Sequence, residues 1–413
     1  MKYYRTAILL LIAGLFQISC TTPKQSPEEL PPGIWRGVIT QQGQELPFIF
    51  TLQPGDTPEQ FEMILHNGTE RIVVDEVTRA GDSLLITFNF FDTEIRAAID
   101  DKMLTGRYNK RYSDEHILDF RATFNDTTRF KMESKGLLID VTGRYEVLFT
   151  EEDSTTYPAV AKLTQEGNTV TGTFLTETGD YRYLEGIIDG ENLKLSAFDG
   201  THLFLFTAKV QGDSLTDGDF WHAKYTHETW SGVKNAEAAL ANQYELTYLK
   251  DGYDKVAFSF PDTNGDTVSL DDERYQDKVV ILQIFGSWCP NCLDETLYYR
   301  DWYNANRNRG VEIIGLAYEN KPDFDYASGR VKKMVKKLEV PYQMLIAGTS
   351  DKAEASKTLP MLNHIISFPT SIFLDRQGNV RRIHTGFSGP GTGEEYEKWQ
   401  QSFTALTEEL LSE

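Results

Sequence analysis

The sequence predicts a multidomain chain in which an all-β N-terminal region, built from two related small sandwich or barrel modules, precedes an α/β domain with a central mixed sheet. Three observations carry this prediction. From Trp35 to about Trp230 the chain runs in short alternating segments such as LPFIFTLQ, DSLLITFNFF and HLFLFTAKV, broken by HNGT, AGDS, EGNT and DGEN, the pattern of antiparallel strands joined by tight turns. Within that region GIWRGVI near 33 matches GRYEVLF near 143, GDSLLITF near 81 matches GENLKLSA near 190, and LTGRYNKRY near 104 matches LTDGDFWHAKY near 215, at a steady offset close to 110. After residue 251, strand-like and helix-like segments alternate.

At 413 residues the chain exceeds a usual single domain. Its formal charge of -21 argues against nucleic acid as a partner, because phosphate binding needs clustered Lys and Arg. No interior stretch is apolar for long enough to cross a bilayer as a helix. Residues 1–19 have a basic start (Lys2, Arg5), an apolar core from Ala7 to about Phe16 and a small residue, Ser19, which is the layout of a signal peptide. The cysteine that follows, Cys20, resembles the lipidated cysteine of bacterial lipoproteins. That resemblance implies a lipid anchor on Cys20 and a place in the bacterial cell envelope, facing the periplasm or the outer surface. Gln17 stands where the lipoprotein motif usually carries an aliphatic residue, and an ordinary secretory signal is the alternative. Residues 20–33, with prolines at 23, 27, 31 and 32, read as an extended tether that could span roughly 40 Å at about 3.1 Å per residue.

The two β modules, 34–130 and 140–233, show no catalytic constellation. His202, His222 and His227 are close in sequence but lack a tight spacing with carboxylates or thiols, so they read as strand histidines and not as a metal set. The abundant Tyr, Phe and Trp residues read as core and cross-strand pairs. Residues 234–250, rich in Ala, Leu and Glu, predict a helical connector.

The remainder, 251–413, begins with a hairpin-like stretch, VAFSFPDTNGDTVSL. Then come a strand at 279–285, a helix from Cys289, the strand VEIIGLAY, a helix at 322–338, the strand YQMLIA and a short helix at 351–358. Paired strands TSIFLD and VRRIHTGF across the turn RQGN and a closing helix at 393–411 complete it. This is the element order of a thioredoxin fold. Of three cysteines in the chain, Cys289 and Cys292 sit where the buried strand hands over to the helix. A sulfur at the helix start faces unpaired N–H groups and the positive end of the helix dipole, which favour a thiolate and make Cys289 the attacking thiol. Cys292, one turn further in and shielded, can break a mixed disulfide. Pro290 fits the first helical turn, where its missing N–H costs nothing.

SWCPNC followed by DE, the upstream FPDTNGDTVSLDD and the downstream FPTSIFLDRQGNVRRIHTGF resemble the TlpA/ResA-like thiol:disulfide oxidoreductases over residues 251–413. The resemblance implies a redox-active Cys289–Cys292 disulfide with no further cofactor and no metal. It also implies a substrate rim of Trp288, Pro290, Phe368 and Pro369, with Pro369 as the family's cis-proline. In thioredoxin a buried Asp six residues before the first cysteine takes the proton of the second thiol. Here that position is Gln283, and the resemblance passes the role to Glu295; a solvated helix carboxylate is the other reading of this residue. Leu297 departs from the family pattern, which often has a proline there. Implied partners are disulfide-containing exported proteins and a membrane electron donor of the DsbD/CcdA type. The reducing end of the range is expected, because the resemblance is to reductases and Pro290-Asn291 adds no extra positive charge beside the thiolate. Structural zinc lacks a second cysteine pair, and a peroxiredoxin would need Thr or Ser where Gly286 stands. A Sco-like copper chaperone, with His384 as candidate ligand, shares the fold but separates its cysteines by three residues, not two. A third reading makes the β modules ligand binders with an accessory thioredoxin domain.

Overall fold

The computed structural model describes residues 30–413 other than 89 and 135–138, so the signal segment and Cys20 lie outside the described residues. The N-terminal region folds as two barrels. In the first, eight antiparallel strands run in sequence order from Gly33–Gln41 to Ile117–Phe124, and the first pairs with the last, Trp35 opposite Phe124. In the second, Gly143–Thr150 pairs on one side with Thr156–Glu166 and on the other with the last strand, His227–Lys234, while Thr156–Glu166 also pairs with Thr169–Thr176. The ring therefore closes with the same up-and-down order, leaving a two-residue strand, Gly179–Asp180, as an outlier. Strand starts correspond between the two: Gly33 with Gly143, Ser83 with Asn192, Met103 with Ser214. The repeat is thus a duplicated barrel. Strict alternation drives it, as in Gln60–Asn67, whose residues alternate between solvent-facing and buried, and closure removes the unpaired edges an open sheet would expose.

The barrels share a core. Phe198 of the second inserts into the first, with ring centroids 4.6 Å from Phe48, 5.4 Å from Phe88 and 5.7 Å from Tyr108. Asn67 Nδ2 fixes this insertion by donating to Phe198 O at 3.0 Å. Truncation of a fully buried phenylalanine leaves a cavity, so Phe198→Ala is expected to cost about 3–5 kcal/mol in denaturant unfolding of the full chain.

The predicted helical connector is not a helix. Asn235 and Asn242 turn the chain by accepting the N–H groups of Glu237 and Tyr244 on their side chains, a local alternative to helical bonding. Beyond them, backbone groups bond to the C-terminal domain: Thr385 N–H donates to Gln243 O, Asn363 N–H to Tyr248 O and Lys250 N–H to Met361 O. Tertiary pairing overrides the helix propensity of the Ala- and Glu-rich composition.

The C-terminal domain carries the predicted elements almost residue for residue. A hairpin, Ser259–Pro261 with Thr267–Ser269, precedes the central sheet of β1 (Val279–Phe285), β2 (Val311–Glu319), β3 (Gln343–Thr349), β4 (Thr370–Leu374) and β5 (Val380–Thr385). The sheet order is β3-β2-β1-β4-β5, with β1, β2 and β3 parallel and β4 and β5 antiparallel. Helices α1 (Pro290–Asn306), α2 (Phe324–Leu338), α3 (Lys352–Thr358) and α4 (Glu394–Ser412) cover it. Every residue of β1 is buried, which explains its unbroken apolar run and fixes the end of β1 as a rigid platform for the cysteines. Both barrels pack on this domain. Glu76 of the first pairs with Lys333 of α2 at 3.1 Å, and Arg144 of the second with Glu395 of α4 at 3.1 Å.

Candidate active site

Cys289 is the N-cap of α1, in extended conformation, with Pro290 opening the helix. Its Sγ accepts the Cys292 N–H at 3.3 Å, one of the unpaired donors of the first turn, and its thiol donates to Phe368 O at 3.4 Å. Both cysteines are free thiols; Cys289 is 7% exposed and Cys292 1%. The Phe368–Pro369 bond is cis and brings Phe368 O over the sulfur. Trp288 anchors through Nε1 to Tyr318 O at 2.8 Å and meets the Phe368 ring edge-on at 5.7 Å. Trp288, Cys289 and Phe368 thus bound one cleft, whereas Pro290 and Pro369, expected on the same rim, are buried and are not among its lining residues.

Beneath the pair lies Glu295, wholly buried on the inner face of α1. Gln283 Nε2 donates to its Oε2 at 2.9 Å, Ser371 Oγ donates to its Oε1 at 3.0 Å, and Tyr299 Oη stands 3.3 Å from that same Oε1. Burial raises the Glu295 carboxyl to about 7 despite these bonds. Gln283 therefore occupies the place of an acid but acts as a donor that orients one. Burial, the adjoining Cys289 sulfur and the Glu295 charge together push the Cys292 thiol well above its ordinary value.

Several site residues were not legible from the motif. Glu319 at the end of β2 accepts from Ser287 N at 2.8 Å and Ser287 Oγ at 2.8 Å, clamping the turn that presents Trp288 and Cys289. Lys352, first residue of α3, lines the same cleft as Cys289 and interacts with it electrostatically. Pro290-Asn291 itself carries no charge, and the cation in this cleft arrives from α3, far away in sequence. The second barrel, in which the sequence shows no catalytic constellation, supplies Thr176, Thr178, Tyr181, His202 and Phe204 to the cleft wall.

The histidines do bond carboxylates, each its own: His202 with Asp199, His222 with Glu228 and His227 with Asp219, all at 2.8 Å. His202 and Asp199 are three residues apart in the turn between two strands, whereas the other two pairs are made by the register of Ser214–Trp221 against His227–Lys234. His384 lies on β5, buried between Tyr244 and Trp399, away from the cleft, and burial lowers it to about 4.

The Redoxin family matches residues 252–398. Thiol-disulfide oxidoreductase ResA of Bacillus thuringiensis subsp. konkukian is 30% identical over 154 residues, 37% of this chain and 78% of that protein. The chain belongs to the TlpA/ResA-like thiol-disulfide oxidoreductases. The thiol:disulfide interchange protein DsbE of Pasteurella multocida is 29% identical over 111 residues, 27% of this chain and 52% of that protein. Among solved structures, the thioredoxin domain of a thiol-disulfide oxidoreductase from Bacteroides vulgatus aligns with a TM-score of 0.28 and 22% identity, covering 37% of this chain and 99% of that one. This ResA-like enzyme is a disulfide oxidoreductase whose two barrels lie outside the matched residues.

Proposed function

We propose that the protein is an envelope-anchored thiol:disulfide oxidoreductase that reduces disulfides of exported proteins through Cys289 and Cys292. The observation that carries this reading is the dithiol at the start of α1 set above the buried Glu295, whose carboxyl at about 7 suits proton exchange with Cys292 near neutrality. In the reaction the Cys289 thiolate attacks a substrate disulfide, forming a mixed disulfide and releasing one substrate thiolate. Cys292 then attacks the Cys289 sulfur, its proton passing to Glu295, and the second substrate half leaves as a thiolate that takes up a proton from water. Two electrons move from the enzyme to the substrate. A dithiol-regenerating membrane partner of the DsbD/CcdA type restores the pair, and no other cofactor is required. Potentials of thioredoxin-fold dithiols run from about -270 mV for thioredoxin to about -120 mV for strong oxidants, according to how strongly the attacking thiolate is stabilised. Trapping the pair by acid and alkylation in cells decides the direction: a mostly reduced Cys289/Cys292 supports the reductase, and a fully oxidised pair overturns it. Anchoring is read separately. Fatty-acid labelling is expected to mark the chain through Cys20, and Cys20→Ala to release it from membranes; unlabelled, soluble wild-type protein would leave a secreted enzyme.

A further inference from the structure

We propose that the second barrel is the outer wall of the disulfide-binding cleft and restricts Cys289 to disulfides carried on thin, unfolded polypeptide segments, an inference that deepens the oxidoreductase reading and rests on it. Residues 176–182 leave the barrel and lie across the cysteine end of the thioredoxin domain. Ser367 Oγ donates to Thr178 O at 2.6 Å, Asn291 Nδ2 to Asp180 O at 3.1 Å, and Gly389 N to Asp180 Oδ2 at 2.7 Å. Backbones approach so closely that a Cβ on Gly386, at φ +77°, would stand 2.8 Å from the Thr178 carbonyl carbon. Arg182 locks the segment. Its guanidinium pairs with Asp294 of α1, with Glu70 of the first barrel at 2.5 Å, and faces Asp199 at 3.7 Å, all with side chains largely buried. A wall tied to both barrels and to α1 is a fixed part of the site.

What it leaves open over Cys289 is a cavity of about 190 Å³ bounded by Tyr181, Phe204, Trp288, Phe368 and Lys352. The opening is bounded by side chains of the second barrel on one side and of the thioredoxin domain on the other, which suits a single extended segment carrying a cysteine better than the flank of a folded domain. Its polar handle also suits a peptide. Asn291 lines the cavity at 8% exposure, and its Oδ1 has no hydrogen-bond partner among the described residues. A buried acceptor without a donor is costly, and the N–H of an extended segment entering beside Cys289 supplies one. The electron count is that of the reaction above: Cys289 and Cys292 give two electrons and close a disulfide, and each half of the substrate leaves as a thiol.

The test uses the full chain with dithiothreitol as reductant and two probes, a disulfide-linked dimer of a short unstructured cysteine peptide, and insulin, whose disulfides join packed chains. Wild type is expected to favour the peptide dimer by about tenfold or more in kcat/KM. Arg182→Gln and Phe204→Ala, one loosening the wall and one widening it, are expected to narrow that preference by raising the insulin rate. Should Arg182→Gln fail to fold, Phe204→Ala carries the comparison. Equal kcat/KM on both probes, or a preference unmoved in folded variants, overturns the wall. Reduction of neither probe instead removes the reductase reading on which it stands.

Discussion

Cys289→Ser is expected to abolish turnover of any disulfide, whereas Cys292→Ser is expected to accumulate covalent mixed disulfides with substrate, visible as adducts on non-reducing gels and lost on reduction. The asymmetry follows from position. Cys289 caps α1, receives a helix N–H and faces the cleft, so it can meet an incoming sulfur. Cys292 is 1% exposed and its thiol is held protonated by burial and by Cys289, so it cannot begin the reaction and acts only once Cys289 is bonded to substrate. Without it the first attack succeeds and resolution fails. The effect is all-or-none in each case, since a serine hydroxyl is neither a useful nucleophile toward sulfur nor able to form the disulfide. Equal absence of adducts in both variants would reverse or sink the assignment of roles.

The order of helices and strands after residue 251 was legible because each element has a strong local cause: the unbroken apolar run of β1, the Asp323 cap of α2, the RQGN turn between β4 and β5. The duplicated barrel was legible because alternation and turn residues recur at a fixed interval. The connector at 234–250 was misread for the opposite reason, since its conformation is decided by bonds to Met361, Asn363 and Thr385 that no local pattern announces. The candidate site divides the same way. The cysteines and Glu295 share one helix and are found by counting along it. Lys352 and the wall residues Tyr181, His202 and Phe204 reach the cleft, and Glu319 the turn before Cys289, from other elements or another domain, so only the packing of the folded chain brings them there.

Glu295→Gln is expected to slow resolution on the order of 100-fold while making the protein more stable in alkali. Both effects come from one buried carboxyl. Its folded value, raised by burial from the ordinary 4.5 to about 7, means that between those pH values the native state binds a proton that the unfolded chain has released. Stability from this group is therefore fully present below pH 4.5, falls as pH rises, and is lost above about 7, a difference of roughly 3 kcal/mol at about 1.36 kcal/mol for each pH unit. Glutamine keeps the shape and cannot ionise, so the variant should melt at a higher temperature than wild type at alkaline pH and at a similar one near pH 4. The kinetic profile runs the other way. Only the ionised carboxylate can take the Cys292 proton, so wild-type resolution of the mixed disulfide should accelerate as pH rises through about 7, and the variant should lack that step. A purely structural carboxyl would change the melting curves and leave the step in place, which would remove Glu295 from the reaction.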